Sequence, residues 1–364
     1  MRRILIITPN DMQHASPQTL YLAEALQKTG AKVCLIGPIH RSLCLPGVDI
    51  CRVSPGRLRN VLIILAAFLK ASWRRYDLLI GFDEVGLIPC LAVACIRPTS
   101  KVVLYNLEYF EDMPSTKCQR LARMLYRSMA GKASLVIDAN EDRSLLRAKL
   151  CSRANVAVIH NAAPLNDPAL RPPEDPIYRD IPRDRIRLVY TGCKNHTVVE
   201  VIRALDRVMC PIHFFVVGEV DPNYQKAIQE SHGRQRVTLT GLVPRERLPA
   251  ILAWADIGIS LYGNAPEAFI AQRMCAPNKV YEYMAWGLPS ICSDNSPLVR
   301  LVQENEWGLC VPPTDNLQIA EAIEKLAGNP QLRAAMSQNA IALHRKLMNY
   351  EEQIRPILQL GLHG

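Results

Sequence analysis

No CxxC pair and no Cys/His cluster with zinc spacing occurs among the twelve cysteines of this 364-residue chain, at 34, 44, 51, 90, 95, 118, 151, 193, 210, 275, 292 and 310. Neither a structural zinc site nor a disulfide framework is expected. Most of these residues sit in apolar runs such as VCLIG and SICSD, the pattern of reduced core thiols in a cytosolic protein. Aromatic residues are scarce, at 6%, and no basic run interleaves with them, which argues against nucleic-acid binding. The most apolar run, Val61–Leu69, is far too short to span a bilayer. The start, MRRILIITPN, is not expected to be a signal peptide: its apolar stretch is only Ile4–Ile7, and no small-residue cleavage site follows. Missing too are a GxGxxG fingerprint, a Walker A lysine motif and a GxSxG elbow. The first strand–helix turn, TPNDMQHASP, has no glycine, and neither Gly192 nor Gly218 opens such a fingerprint, which weighs against a nicotinamide or flavin dehydrogenase.

What is present is ordinary globular material with a basic bias. Apolar residues make up 49% and charged ones 21%, enough for two cores in a chain of this length. The net charge of +9 favours an anionic partner: nucleotide phosphates or acidic lipid headgroups. Short continuous apolar runs at Ile4–Thr8, Lys32–Ile36, Ile50–Val53, Leu78–Phe82, Val102–Tyr105, Leu135–Asp138 and Val156–Ile159 read as parallel strands covered on both faces. Helices are predicted between them at Pro17–Thr29 (Ser16 as N-cap, Gly30 just past the end), Leu58–Arg75, Val85–Ile96, Lys117–Ala130 and Asp142–Lys149. Six prolines between Pro164 and Pro182 mark a linker. The alternation then restarts. Strands are predicted at Arg187–Thr191, His213–Val217, Val237–Thr240, Ile257–Leu261, Ser290–Ser293 and Leu309–Val311, and helices at Val198–Val208, Tyr224–Glu230, Arg245–Trp254, Asn278–Trp286, Pro297–Glu304, Leu317–Leu326 and about Gln331 to Tyr350. The expected fold is α/β, with two Rossmann-like doubly wound domains facing a central cleft. The expected division is residues 1–165, a linker at 166–186, a second domain at 187–340, and a C-terminal helix at 341–364 that crosses back to the first domain.

The stretch Ala276–Asp294, APNKVYEYMAWGLPSICSD, organises the second half. Pro277 stops the preceding segment, Asn278 is the predicted N-cap of a short helix, and Gly287 with Pro289 ends it before a buried strand. A helix N-terminus attracts phosphate, and Lys279 in the first turn is unfavourable for the helix itself. Two readings fit Lys279 and Glu282: a nucleotide site, with the lysine on phosphate and the carboxylate on ribose hydroxyls, or an i,i+3 surface ion pair. Three strand ends in the same half add to the first reading. Gly192 precedes Lys194, which reaches toward a pyrophosphate; Gly218 is another close-approach turn; Gly241-Leu242-Val243 offers backbone to a base edge. The run Val61–Leu69 with its basic flanks Arg57, Arg59, Lys70, Arg74 and Arg75 fits a buried domain helix or a helix on an anionic membrane; the buried helix is the expectation.

The order of LVYTG, FFVVGE, VTLTGLVPRERLPAILAWADIGISLY and PNKVYEYMAWGLPSICSD resembles the donor-binding half of GT-B retaining glycosyltransferases, the large GT4-like (glycosyl transferase group 1) family. The resemblance covers about Arg187–Ala327; the first half matches mainly in strand rhythm and in the exit VIHNAAP. It implies sugar transfer with retention from a nucleotide diphosphate sugar, UDP- or GDP-linked, to a glycan, lipid-linked or small-molecule acceptor. It implies that Glu282 holds the ribose, that Lys194, Lys279 and the Asn278 terminus neutralise the diphosphate, and that the loop after Leu242, including Val243, seats the base. Gly192 and Gly218 belong to the same donor set. No cofactor and no metal are implied, and a DxD-type motif is absent. The family's E-x7-E pair is incomplete, since Met274 stands eight positions before Glu282; Glu267 is the candidate substitute for sugar contact. On the first half, Glu108 and Asn106 are the candidate catalytic groups, beside the alternative of a solvated loop, and His14 is a loop histidine with no assigned role. The reduced thiols and the basic flanks of Val61–Leu69 give the expected location, the cytoplasm with peripheral contact at the inner face of an anionic membrane, and no nucleic-acid partner is expected. The competing function is a degenerate GT-B protein that binds a nucleotide or partner without transfer; a sugar-nucleotide epimerase needs acidic and histidine residues that the chain does not place.

Overall fold

The computed structural model describes residues 2–9, 17–40, 43–54, 56, 59–109, 111–113, 117–151, 154–166, 176–179, 182, 184–192, 197–219, 221–265 and 267–362. The chain divides into two compact units, Met1–His160 with Tyr350–Gly364, and Asn161–Asn349.

The first unit is built on seven parallel strands: β1 (Arg3–Ile7), β2 (Lys32–Gly37), β3 (Val48–Arg52), β4 (Leu78–Phe82), β5 (Lys101–Tyr105), β6 (Leu135–Asp138) and β7 (Val156–Val158). Their order is β3-β2-β1-β4-β5-β6-β7, so the winding reverses between β1 and β4. Helices α1 (Pro17–Lys28), α2 (Arg59–Trp73), α3 (Asp83–Ile96), α4 (Lys117–Met129) and α5 (Glu141–Leu150) connect them. The apolar runs are continuous because both faces are covered: Ile4 and Ile6 enter one core cluster, Leu5 and Ile7 the other.

The second unit begins with a short helix, α6 (Pro176–Arg179), and repeats the plan with β8 (Ile186–Gly192), α7 (Thr197–Ala204), β9 (Ile212–Gly218), α8 (Pro222–Glu230), β10 (Val237–Gly241), α9 (Leu248–Trp254), β11 (Ile257–Ser260), α10 (Ile270–Arg273), α11 (Asn278–Ala285), β12 (Ser290–Ser293), α12 (Ser296–Leu298), β13 (Gly308–Val311), α13 (Asn316–Ala327) and α14 (Pro330–Lys346). The sheet is parallel in the order β10-β9-β8-β11-β12-β13. Leu188 and Tyr190 face one core cluster and Val189 the other, alongside Phe215 and Val217. The last helices, α15 (Tyr350–Gln353) and α16 (Arg355–Leu362), belong to the first unit, where Tyr350, Ile354 and Ile357 join its core.

Several expectations need correction. Asn278 is not a cap: the N-cap position is Pro277, extended at ψ 126, with no side-chain cap bond, and Asn278 is the first helical residue. The helix expected from Gln331 to Tyr350 ends at Lys346, where Asn349 Nδ2 takes the carbonyls of His344 and Arg345. The helix expected at Arg245–Trp254 opens as a 3₁₀ turn, Arg245–Arg247, and the one at Pro297–Glu304 passes from α12 into a π turn, Val299–Gln303. Part of the proline-rich segment is packed structure: Tyr178 of α6 is buried, with ring centroids 5.5 Å from Phe215 and 5.4 Å from Trp254. The described cysteines are free, but Cys44 and Cys95 are exposed rather than core thiols. Helix α2 buries only Ile63, Ala67 and Ala71, so it is not the buried helix expected. Among the described residues no helix is long and apolar enough to cross a membrane.

Candidate donor site at the strand ends of the second unit

Three adjacent strands, β8, β9 and β10, each finish on a glycine of positive φ: Gly192 at 132°, Gly218 at 137° and Gly241 at 71°. These are conformations that L side chains rarely adopt. Gly192 and Gly218 are register partners, and a Cβ on Gly218 would lie 2.0 Å from the Gly192 carbonyl oxygen. These ends carry no side chain, and Gly192, the exposed one of the three, presents its backbone where ligands bind in an open α/β sheet.

Helix α11 packs its first turn beside this edge. Lys279 is only 8% exposed, its ammonium 3.6 Å from the Tyr190 ring centroid and 5.5 Å from that of Tyr262. A side chain at Gly192 would meet Lys279 Nζ at 3.1 Å, so glycine there is also what makes room for the cation. Contacts with aromatic faces offset about 1–2 kcal/mol of the cost of burying a charge. The helix is pinned by Tyr283, four residues on: its hydroxyl accepts the Thr191 N–H at 3.0 Å and donates to the Ile259 carbonyl at 3.3 Å, tying α11 to β8 and β11. Burial pushes the Tyr283 phenol well above its ordinary pKa, which keeps it neutral and a donor. At the far end, Leu288 N–H reaches the Tyr283 carbonyl and Gly287 N–H that of Met284, a Schellman closure with Gly287 at φ 62°.

Glu282 does not take part in a surface pair with Lys279. Its Oε1 accepts from Arg245 Nη2 at 2.9 Å, and its side chain is 14% exposed. Arg245 opens the 3₁₀ turn after β10, and Val243, between the strand and that turn, packs on the core beneath. Between β11 and α11 runs the segment that carries Glu267 and Met274. Glu267 is exposed; Met274 is half-buried and ends α10, its N–H on the Ile270 carbonyl at 2.7 Å. Asn295 fastens this segment, its amide within reach of the Gly263, Gln272 and Arg273 carbonyls at 3.0–3.3 Å. Lys194 and His14 lie outside the described residues.

In the first unit the polar candidates follow β5. Asn106 is committed to the scaffold: its Nδ2 donates to the Ile137 carbonyl at 2.8 Å and its Oδ1 accepts from the Tyr126 hydroxyl at 3.0 Å. Glu108 is half exposed and bound by Arg143, at 3.1 Å. Arg143 is itself buried and also donates to the Leu107 carbonyl at 3.0 Å. On the other side of that peptide, Leu107 N–H is held at 2.9 Å by Asp83, a buried non-glycine residue at φ 53° where β4 turns into α3. A left-handed aspartate costs of order 1 kcal/mol, a local strain held at the strand end. Below it, Arg147 pairs with Asp138 at 3.0 Å and lies 4.8 Å from the Tyr109 ring centroid. Burial pushes the Asp138 carboxyl up in pKa, against the pull of Arg147.

Residues 186–329 match the family model described as glycosyl transferases group 1. The chain is 24% identical over 283 residues to alpha-D-kanosaminyltransferase of Streptomyces kanamyceticus, covering 72% of this chain and 70% of that protein. Among solved structures it is similar to sucrose-phosphate synthase from Thermosynechococcus elongatus, with a TM-score of 0.75 at 19% identity over 99% of this chain and 98% of the other. It is also similar to Anabaena HepE in complex with UDP-glucose, with a TM-score of 0.73 at 16% identity over 99% of each chain. The fold of two Rossmann-like domains is thus that of the GT-B glycosyltransferases.

Proposed function

We propose that this chain, whose residues 186–329 match the model of the glycosyl transferases group 1 family, moves a sugar from a nucleotide diphosphate sugar to an acceptor with retention of configuration. The observation that carries the reading is the buried Lys279 ammonium set beside Gly192, at the exposed backbone end of β8. Leaving-group stabilisation is what this chemistry needs most. A preorganised cation at a helix N-terminus meets the charge that develops on a departing diphosphate, and it does so without reorganising during the reaction. In this reading Lys279 and Lys194 neutralise the diphosphate, Asn278 opens the helix toward it, and Gly192 and Gly218 let it approach the backbone. Glu282 takes the ribose hydroxyls, held in place by Arg245, and the loop after Leu242, including Val243, seats a uracil or guanine base. Glu267 is the assigned substitute for the sugar-contacting acid that Met274 lacks. Glu108, oriented by Arg143, faces a glycan, lipid-linked or small-molecule acceptor, with Asn106 as part of its scaffold.

The experiment is incubation of the full chain with a panel of radiolabelled UDP- and GDP-sugars, scoring transfer and slow donor hydrolysis. Turnover with one donor supports the reading. Nucleotide binding without turnover across the panel supports the second reading, a degenerate binder, for which Met274 is the motivating residue. Glu282→Ala is expected to weaken nucleotide binding by roughly 1–3 kcal/mol, the cost of a lost charge-assisted hydrogen bond.

A further inference from the structure

Helices α2, α3 and α4 lie on one face of the first unit's sheet, since Ile63 and Ala67, Leu87 and Cys90, and Tyr126 and Ala130 share a single buried cluster. Their opposite sides face outward. A helix in such a layer normally carries one apolar stripe. Helix α2 carries two. Leu62, Leu65, Leu69 and Trp73 are all exposed, Leu69 by 63% and Trp73 by 87%. At the α-helical rotation per residue these four fall within an arc of about 80°, directly opposite the buried residues Ile63, Ala67 and Ala71. Helix α4 repeats the arrangement: Leu121, Met124 and Leu125 are exposed, while Tyr126 is buried. Single exposed leucines need no explanation, but an outward apolar stripe on each of two helices in one layer does.

Within α2 and α4 themselves the charge is of one sign, with Asp49 and Glu111 pairing Lys70 and Arg127 from outside them. Neither α2 nor α4 contains an aspartate or glutamate. Arg74 and Arg75 follow directly on α2 and are exposed, as is Arg120 of α4, and none of the three makes an ion pair among the described residues. A hollow of about 410 Å³ beside α2 mixes the same two chemistries, lined by Cys51, Ala66, Leu69, Lys70, Trp73 and Arg74. Apolar side chains flanked by cations match the boundary between acyl chains and anionic headgroups, where tryptophan also partitions. A second copy of this chain is the poorer occupant, because an isologous contact would set these arginines against one another.

We propose that the outer side of α2 and α4 seats the first unit on an anionic lipid bilayer, with Leu62, Leu65, Leu69 and Trp73 entering the headgroup boundary and Arg74, Arg75 and Arg120 meeting lipid phosphates. This goes beyond the donor reading and does not depend on it.

The test is co-sedimentation of the full chain with vesicles of phosphatidylcholine alone and of phosphatidylcholine mixed with phosphatidylglycerol, read together with tryptophan emission. Binding to the mixed vesicles is expected, with a blue shift, and it weakens as salt is raised. The double variant Leu69→Glu, Trp73→Glu is expected to partition at least roughly tenfold less. Its thermal midpoint should be unchanged, because both side chains are exposed. Equal partitioning of variant and wild type overturns the proposal, as does salt-insensitive binding to neutral vesicles. Absence of vesicle binding also overturns it; if the wild type then dimerises and the variant does not, a second copy is the occupant.

Discussion

The two units share strand order and direction through their first six strands, yet they finish those strands differently. In the second unit β8, β9 and β10 end on glycines of positive φ, with Gly192 exposed and Gly218 buried against the Gly192 backbone. In the first unit the ends of β4 and β5 carry Asp83 and the segment Asn106–Glu108, and these are tied down by Arg143, Tyr126 and the Ile137 carbonyl. Bare backbone beside a buried lysine is suited to a flat polyanion that must come close. A segment held by side chains from three elements is suited to presenting one exposed carboxylate, Glu108, in a fixed place. One fold thus supplies two kinds of surface, set by positive-φ glycines at the strand ends in one unit and by the tied residues just past the strand ends in the other.

Three substitutions or conditions probe that contrast, with effects that decrease in order. Gly218→Ala places a Cβ against the Gly192 carbonyl in a backbone conformation that alanine resists, so a loss of about 3 kcal/mol or more is expected. Chemical denaturation reads it, and a stability within 0.5 kcal/mol of wild type, roughly the size of a neutral surface change, would remove the steric argument. Arg143→Ala leaves the Leu107 carbonyl and the Glu108 carboxylate without their buried donor, an expected cost of about 1–3 kcal/mol. Nucleotide affinity should stay at the wild-type value in this variant, because the change lies in the other unit; a parallel loss of both would contradict the separation of roles. The third effect is the smallest near pH 6, where only the upper edge of the titration is reached. His213, buried between β9 and β10 with Nε2 on Thr238 Oγ1, has its pKa lowered from 6.5 to about 4, by burial first and by Arg185 second. The unfolded chain then binds the proton more readily, so stability falls as pH drops from 6.5 toward 4 and is unaffected above that window. Denaturation midpoints of wild type and His213→Gln across the window should converge as pH falls; parallel curves would remove His213 as the cause.

Much of the architecture was readable in the residues. Parallel strands covered on both faces must be apolar throughout, and runs such as LLIGF and LVID allow few other readings. Gly192, Gly218, Lys279 and Glu282 were also visible, since glycine at a strand end and lysine in a first helical turn each break a local preference. Arg245 was not visible as the partner of Glu282, because the pair spans 37 positions and no local pattern links them. Asp83 gives no signal, as a left-handed aspartate leaves no trace in composition. Tyr178 sat within a proline-rich stretch whose character masked a buried ring. Helix α2 misled for a physical reason: an apolar run shows that a helix has apolar sides, and only packing shows which of them is covered.

The most direct measurement is calorimetric titration of the full chain with UDP and with GDP, beside Lys279→Met, which keeps most of the side-chain volume and removes the charge. Wild type is expected to bind one of these nucleotides, and the variant, folded to the same thermal midpoint, to bind it about ten- to a hundredfold more weakly. Equal affinity in the two proteins would contradict the role given to Lys279, and so would a wild type that binds neither nucleotide.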